Sequence, residues 1–315
     1  MSSCVSYESR SVGDDPELQL ASGPWRATVS PLGASLRRLW LEPEGKPPRD
    51  ILWGYSGTSN KKGGQGDVLM PWPGRARDGT YTFGGATHAL PKNDKDGPNA
   101  IHGFLRSRTW EGEHDATTAH FRTRIRAGDH AGYPFDLEVT IGYELLPGGL
   151  ACAFVVCNAG AGPAPFGAGF HPYVIAGSGR ADDAKLRCPA AHLVEFDGLL
   201  PTGRVVDVPA QLDFRVPHRV GAAKLNHCFT GLGREADGFA RVRVDDVEVW
   251  MDRAFPYLVL YTGDALGPEA RRALAVEPMT CATDAFNHPK WGLRVLEPGE
   301  AMAGTWGVAL AVSPA

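Results

Sequence analysis

Hydrophobic and polar residues alternate along much of the chain. Between residues 135 and 145 every second residue is large and apolar, and the residues between them are polar or small. This period of two is typical of a strand with one buried face. The sequence Pro-Gly-Gly follows at 147–149, and a second apolar segment covers 150–158. We therefore predict two antiparallel strands joined by a tight turn.

The same alternation recurs in shorter segments, and the 39 glycines and 25 prolines separate them. These segments are 25–30, 35–43, 239–244, 247–251, 257–261 and 304–312. Helical spacing is nearly absent, and a single turn of helix at 268–273, with Pro268 at its start, is the one candidate. The pattern predicts an all-β fold: a large antiparallel β-sandwich with few or no helices.

Composition is that of an ordinary globular protein, with 43% hydrophobic and 22% charged residues. No linker or internal repeat divides the 315 residues, so we predict one domain over 16–315 and a loosely ordered N-terminus over 1–15. The net charge of −4 offers no basic surface for nucleic acid or anionic lipid. No secretory signal or membrane-spanning segment is visible, so we expect a cytoplasmic protein with neither nucleic-acid nor membrane partners.

The six cysteines form no CxxC pair and are too sparse for a disulfide framework. We expect free and mostly buried thiols.

Residues 275–289 place a carboxylate where a strand is expected to stop. An apolar segment leads into Glu277, and Pro278 has no N–H with which to continue a ladder. His171 has the same setting, because it follows an apolar segment and directly precedes Pro172. A Glu and a His at two strand ends can face each other and transfer two protons in one step. The alternative is a surface acid and a core histidine without a catalytic role.

Two further loops carry side chains that a structural strand does not need. In residues 68–81, prolines flank Trp72 and stiffen a loop that presents Arg75. The next loop carries Asn99 and His102. An aromatic face, a guanidinium and an amide are common contacts of a sugar, so Trp72, Arg75 and Asn99 are candidate substrate-binding residues. A proline-braced turn with solvated or satisfied side chains is the alternative.

Other chemistries lack their motifs. The chain has no nucleophile elbow, no HExxH and no short spacing of metal ligands. The loop KKGGQGD at 61–67 lacks the spacing of a phosphate-binding loop, and we interpret it as a flexible turn. We therefore predict an active site that uses no metal and no cofactor.

The segments that carry the candidate site residues resemble motifs of the aldose 1-epimerase (galactose mutarotase) family, and the resemblance extends from about Thr28 to the C-terminus. Segments similar to the family's motifs occur in the family's order: ATVSPLGASLRRLWL, PWPGRARDGTY, NAIHGFLRSRTW, FGAGFHPYV, and AVEPMTCATDAFNHP followed by VLEPGEAM. The resemblance implies a large antiparallel sandwich called a supersandwich.

The resemblance also implies residue roles. Glu277 would be the general base that removes the proton from the anomeric hydroxyl, and His171 the general acid that protonates the ring oxygen. His102 would hydrogen-bond the sugar near the reacting atoms, and Arg75 would hold its hydroxyls. The implied reaction is interconversion of the α and β anomers of a free aldohexose without metal or cofactor.

Two positions depart from the family pattern. Asn226, before His227, stands where many relatives carry a sugar-binding Asp. An amide can still bind a hydroxyl but lacks the charge of a carboxylate, so Asn226 is a candidate substrate contact that leaves the sugar's identity open. Gly74 stands where an Asn often precedes the family arginine.

Two alternatives to a neutral aldose follow. The first is a mutarotase for a hexose 6-phosphate or another anionic sugar, with cations supplied by Lys61, Lys62, Arg106 and Arg108. The second is a non-catalytic carbohydrate-binding module. In each case we expect a small-molecule sugar as the ligand and a monomer or homodimer.

Overall fold

Strands account for nearly all of the regular structure. The computed structural model describes residues 17–57 and 60–311. Within these residues it has strands and short 3₁₀ turns but no α-helix, which confirms the all-β prediction. The predicted loose N-terminus, residues 1–15, lies outside the described residues. The prediction of one domain over 16–315 stays a prediction.

In chain order the strands are β1 (Leu18–Ser22), β2 (Trp25–Ser30), β3 (Ser35–Leu41), β4 (Arg49–Leu52), β5 (Val68–Leu69), β6 (Arg75–Ala76), β7 (Thr80–Phe83), β8 (Ala86–Ala89), β9 (Ala100–Ile101), β10 (Glu111–His114), β11 (Thr118–Ile125), β12 (Leu137–Leu146), β13 (Gly149–Asn158), β14 (Ala164–Phe166), β15 (Gly169–Phe170), β16 (Tyr173–Val174), β17 (Lys185–Arg187), β18 (Ala190–Asp197), β19 (Leu200–Asp207), β20 (His218–Arg219), β21 (Asn226–Leu232), β22 (Ala240–Val244), β23 (Val247–Met251), β24 (Tyr257–Tyr261), β25 (Leu274–Met279), β26 (Arg294–Leu296) and β27 (Ala301–Leu310). The 3₁₀ turns are Arg77–Gly79, Leu105–Ser107, Ala181–Asp183, Ala210–Leu212 and Gly267–Glu269.

Two large antiparallel sheets form the sandwich. The first has twelve strands in the order β1-β2-β3-β4-β16-β25-β24-β21-β18-β19, and β15 joins this sheet by pairing with β25 and β5. The second has nine strands in the order β10-β11-β12-β13-β27-β23-β22-β17-β20. Three two-stranded sheets, β14-β26, β6-β9 and β7-β8, complete the pairing of the described strands.

The main hydrophobic core lies between the two large sheets. Phe170 of the first sheet meets Trp306 of the second, with ring centroids 5.2 Å apart. Tyr143 of β12 donates a hydrogen bond from its hydroxyl to the carbonyl oxygen of Ala34, at 2.7 Å. Buried aromatic rings supply much of the apolar area that stabilises a fold of this size. The first sheet is therefore held rigidly from one side.

The first sheet has a second, outer face. Leu258 and Leu260 of β24 belong to the main core, whereas Tyr257 and Val259 belong to a separate apolar cluster. Successive residues of a strand point to opposite faces, so this second cluster covers the side of the sheet that faces away from the core. A second small cluster, containing Trp53 and its neighbours, covers the same face farther along. Polar side chains can occupy the part of the outer face between the two clusters.

Several predictions from local sequence patterns can be compared with the structure, beginning with the hairpin of β12 and β13. The predicted hairpin of β12 and β13 is present; Leu146 pairs with Gly149, so the turn is Pro147 and Gly148, one residue shorter than the predicted Pro-Gly-Gly turn. The predicted helical turn at 268–273 is instead the 3₁₀ turn Gly267–Glu269. The cysteines of the described residues are free, and four of the five are buried, as expected. No helix in the described part of the chain is long and apolar enough to cross a membrane.

Candidate active site

Glu277 lies near the middle of the first sheet, on its outer face. Strand β25 runs between β24 and the pair β15 and β16, and Glu277 pairs with Val259 of β24. The preceding residue, Val276, is part of the main core, so Glu277 points away from that core. Its side chain is nevertheless only 5% exposed. The fold thus places a buried carboxyl group on the outer face of the first sheet.

Pro278 does not end the strand, in contrast to the sequence prediction. Strand β25 continues to residue 279. The N–H groups of Val276 and Thr280 both donate hydrogen bonds toward the β15 and β16 side. The N–H that Pro278 lacks would point to that same side, where the ladder is interrupted between β15 and β16. The proline therefore removes no bond to β24, and Glu277 sits inside a strand and not at its end.

His171 lies directly opposite Glu277. Gly169, two residues before His171, pairs with Met279, two residues after Glu277. Tyr173, two residues after His171, pairs with Ala275, two residues before Glu277. The distance from His171 Nε2 to Glu277 Oε1 is 3.4 Å. The Tyr173 ring stacks on the imidazole, with centroids 4.9 Å apart and an interplanar angle of 20°. The two titratable groups that the sequence predicts to face each other therefore do so.

His102 extends this row of rings. Its ring centroid is 5.7 Å from that of His171. The backbone N–H of His102 donates to the carbonyl oxygen of Gly74 at 2.9 Å. The backbone N–H of Gly74 donates to the ring nitrogen Nδ1 of His102 at 3.1 Å. Because Nδ1 accepts a hydrogen bond, the neutral imidazole carries its proton on Nε2. This reciprocal pair also holds His102 at a φ of +64°, which few residues other than glycine adopt.

Gly74 is required by its surroundings. Its φ is +65°, and a Cβ at this position would lie 2.4 Å from Thr283 Oγ1. The asparagine that the family pattern favours at this position does not fit unless Thr283 moves. The departure from the pattern therefore has a packing cause in this chain.

Arg75 approaches the site with its guanidinium held by acidic side chains. Its Nε donates to Asp94 Oδ2 at 2.7 Å, and Asp96 Oδ2 lies 3.7 Å from its Nη2. Asn99 is 3% exposed, donates to Asp94 Oδ2 at 3.1 Å and accepts from the N–H of Asp78 at 3.2 Å. Asn99 thus braces the carboxylate that orients Arg75, and its link to a substrate is indirect.

Trp72 occupies a different environment from the one predicted. It is 4% exposed and belongs to the main core. Its ring packs edge-on against Phe104 at 4.9 Å and against Phe286 at 5.5 Å. An enclosed ring has no open face for a sugar, so burial argues against the predicted substrate contact. The flanking prolines bend the chain inward here.

Asn226 is exposed at the start of β21, where it pairs with Tyr261 of β24. Tyr261 in turn pairs with Ala275, two residues before Glu277 on the same face of β25. Asn226 therefore shares the outer face with Glu277, two strands away. Its side-chain amide makes no hydrogen bond within the described part of the chain, which leaves it available to a ligand.

Burial sets the protonation of the central groups. It raises the pKa of Glu277 to about 8. It lowers the pKa of His171 to about 3, and the charges of Arg106 and Lys61 act in the same direction. It also lowers the pKa of His102 well below its usual range, and neighbouring charges add to this effect. Burial therefore favours the neutral form of both groups, a carboxylic acid beside a neutral imidazole.

The sequence analysis missed the loop that closes the site beside His171. Residues 61–67, interpreted there as a flexible turn, pack against this histidine. A Cβ on Gly64 would lie 3.3 Å from His171 Nε2 and 3.6 Å from Asp67 Oδ2. Glycines 63, 64 and 66 all have positive φ. That run of glycines was the available signal, since it marks a backbone fixed in left-handed conformations.

The arrangement supports acid and base chemistry on a small polar molecule. It combines a carboxyl and an imidazole in contact, a second imidazole with a fixed N–H donor, and an oriented guanidinium. Within residues 17–57 and 60–311, no group of three or more His, Cys, Asp or Glu side chains is arranged to hold a metal ion.

Comparison with known proteins identifies relatives across nearly the whole chain. It is 28% identical over 287 residues to the uncharacterized protein YihR of Escherichia coli K12, a match that covers 86% of this chain and 85% of YihR. The GalM/aldose epimerase homologue from C. elegans superposes with a TM-score of 0.83 at 20% identity, covering 95% of this chain and all of that one. The galactose 1-epimerase of Lactobacillus acidophilus NCFM gives a TM-score of 0.77 at 21% identity, with 98% of both chains covered. These structures show a shared fold.

The sequence profile of one family extends over most of the chain. The family is described as Aldose 1-epimerase, and its profile matches residues 16–308. Such membership supports an isomerase of the mutarotase type, and the predicted galactose mutarotase-like sandwich is confirmed. This chain therefore belongs to the aldose 1-epimerase family.

Proposed function

We propose that this protein is an aldose 1-epimerase that interconverts the α and β anomers of a free aldohexose. The observation that carries the proposal is the 3.4 Å contact between His171 Nε2 and Glu277 Oε1 on the outer face of the first sheet. Family membership supports the type of reaction. The proposal includes a cytoplasmic location and catalysis without a cofactor.

The reaction moves two protons in opposite directions. Glu277 accepts the proton of the anomeric hydroxyl while His171 delivers a proton to the ring oxygen. The bond between C1 and the ring oxygen breaks, and the C1 carbonyl forms. Rotation about C1–C2 presents the other face of the aldehyde, and the reverse transfers close the ring as the other anomer. A positioned acid or base typically contributes ~10²–10⁴-fold to such a step.

The proton that His171 delivers begins on Glu277. Burial favours the neutral form of both groups, so the resting pair is a carboxylic acid beside a neutral imidazole. Passage of the proton across the 3.4 Å contact gives a carboxylate and an imidazolium that stabilise each other. The number of protons on the pair is unchanged by this transfer.

Three other side chains hold the sugar. The Nε2–H of His102 donates a hydrogen bond near the reacting atoms, because Nδ1 is already engaged by Gly74. Arg75, fixed by Asp94, offers its remaining N–H groups to ring hydroxyls. Asn226, exposed on the same face, binds a hydroxyl farther from C1.

An anionic sugar is the second candidate substrate. Lys61 and Arg106 bring two positive charges to the single carboxylate of Asp67, beside His171. Both cations are engaged by that carboxylate, and their side chains are 30% and 25% exposed. Arg108 is paired with Asp129. Three of the four predicted cations are thus paired with carboxylates and only the exposed Lys62 is without an ion pair in the described residues, which is why the neutral aldose is the leading proposal.

Replacement of Glu277 tests the catalytic base. Glu277→Gln keeps the shape of the side chain but cannot accept a proton, so we expect the rate of mutarotation to fall by ~10²-fold or more. His171→Asn should lower the rate similarly. Polarimetry of freshly dissolved α-D-glucose and α-D-galactose measures the rate, and circular dichroism checks the fold.

The matched control for that experiment is Glu248→Gln, which replaces another buried glutamate, 8% exposed, in the second sheet. It should keep the turnover of the wild type. Turnover near the wild-type value in a folded Glu277→Gln protein would contradict the assignment of the base. Sugar binding by the wild type without acceleration would favour a carbohydrate-binding module.

The pH dependence of kcat/KM tests whether the pair acts as a unit. The pKa of Glu277 is about 8, so above that pH the pair loses the proton that His171 delivers. We therefore expect kcat/KM to fall as the pH rises through about 8, after subtraction of the uncatalysed rate. A rise through the same range would show instead that Glu277 acts as a lone base.

Gly64→Ala tests the space beside His171. The new methyl group would lie 3.0 Å from His171 Cδ2 and 3.3 Å from Nε2. We expect kcat to fall by ~10-fold or more, because small misplacements of a catalytic group are costly.

Gly85→Ala is the control, since Gly85 has a φ of +78° against +80° for Gly64 and has open space around it. Both variants carry a similar backbone strain of about 1–2 kcal/mol. Their Tm values should therefore fall together while kcat separates them. Equal kcat values in the two variants would show that the loop does not crowd His171.

A panel of sugars separates the two candidate substrates. A neutral substrate should give a kcat/KM for glucose or galactose that changes little between about 20 mM and about 300 mM salt. Glucose 6-phosphate should be the poorer substrate. A higher kcat/KM for glucose 6-phosphate that collapses with added salt would replace the neutral proposal by the anionic one.

A further inference from the structure

We infer that Asp67 is a positioning residue whose buried carboxylate fixes the relative placement of the two histidines and balances two cations beside them. This inference rests on the proposed function of the same site. Asp67 comes from the loop at 61–67, and the mechanism above gives its carboxylate no role.

Asp67 is first tied to the segment between β15 and β16 that carries His171. The His171 N–H donates to the Asp67 carbonyl oxygen at 3.1 Å, and the Gly66 N–H donates to the His171 carbonyl oxygen at 3.0 Å. Two backbone bonds in opposite directions hold the loop and the histidine in register. A shift of Asp67 therefore shifts His171.

Its carboxylate is also tied to the loop that carries His102. Arg106 belongs to the 3₁₀ turn Leu105–Ser107, four residues after His102, and its Nη1 lies 3.5 Å from Asp67 Oδ2. On the other side, Lys61 Nζ lies 2.8 Å from Oδ1. The carboxylate of Asp67 thus links the loop of His102, through Arg106, to the loop at 61–67, through Lys61. The backbone of Asp67 adds the link to His171.

Stability alone does not account for a carboxylate in this position. Asp67 is 1% exposed, and burial raises its pKa, with the charges of Lys61 and Arg106 opposing that shift. Its Oδ2 accepts no hydrogen bond within the described residues. A buried ion pair with incomplete hydrogen bonding is often no more stable than apolar packing of the same volume. Placement of the catalytic groups supplies a reason for its presence.

The charges around His171 predict opposite effects of two substitutions on the proton of the catalytic pair, and these effects test the inference. The titratable or charged groups that surround the imidazole, from every element packed against it, are Glu277, Tyr173, His102, Lys61, Arg106 and Asp67. The charge of Arg75 acts on Glu277 and lowers its pKa, against the effect of burial. Asp67→Asn leaves two cations unbalanced and favours loss of the proton from the catalytic pair. Arg106→Gln removes one cation and favours its retention.

The experiment compares four variants: Asp67→Asn, Arg106→Gln, Arg106→Lys and Arg108→Gln. We expect kcat to fall ~10–100-fold in the first two with KM nearly unchanged, because the histidines move relative to the substrate. Arg106→Lys keeps the charge and should recover most of the activity. Arg108→Gln is the matched control in the same loop, since Arg108 pairs with Asp129 at 3.2 Å and both side chains are 30% exposed.

The pH profile separates positioning from a general loss of structure. The fall of kcat/KM at high pH should move to lower pH in Asp67→Asn and to higher pH in Arg106→Gln. A loosened fold would lower activity without opposite shifts. Shifts in the same direction, or equal behaviour of Arg106→Gln and Arg108→Gln, would overturn the inference. If Asp67→Asn does not fold, the three arginine variants still decide.

A second readout does not depend on turnover. In protein labelled with ¹⁵N-histidine, the ring signals of His102 and His171, assigned with His102→Gln and His171→Asn, should move in Arg106→Gln and stay in place in Arg108→Gln. Movement without any mutarotase activity in the wild type would support Asp67 as the positioning residue while rejecting the proposed function. Unmoved signals in an active enzyme would reject the positioning role alone.

Discussion

The contact between the carboxyl group of Glu277 and the imidazole of His171 constrains most of what surrounds it. Its geometry is set by backbone ladders, because β25 pairs with β24 on one edge and with β15 and β16 on the other. A strand paired on both edges cannot slip by one residue without turning every side chain to the wrong face. The placement of these two residues opposite each other is therefore a property of strand register.

Unsatisfied polar atoms occur in and beside the candidate site. The described residues contain six buried side-chain atoms without a hydrogen bond, among them His171 Nδ1, Asp67 Oδ2 and Asp284 Oδ2. Asp284 adjoins the loop of Arg75, since its N–H donates to the Arg75 carbonyl oxygen at 2.7 Å. Half of these unsatisfied atoms thus lie in or beside the candidate site. Such atoms reduce stability, so those of the candidate site call for a functional reason.

Sequence patterns predicted what depends on near neighbours along the chain. The hairpin of β12 and β13 follows from alternation and a turn, both of which are local. Pro278 misled, because the effect of a missing N–H depends on which neighbouring strand it faces. Asp67 was missed because its partner Arg106 lies on a distant loop, and Trp72 was misplaced because flanking prolines also occur where a chain turns into the core. In each case the missing information was a tertiary contact.

The two departures from the family pattern differ in physical character, and the difference bears on sugar selection. Gly74 is determined by the protein itself, because a Cβ there would collide with Thr283 and the backbone has a positive φ. Its lack of a side chain therefore says little about the substrate. Asn226 is exposed, and its amide is free of contacts within the described residues. Internal hydrogen bonding does not dictate this amide. In the proposed function Asn226 is therefore the departure that bears on sugar binding, since it lies on the same face as Glu277, two strands away from it.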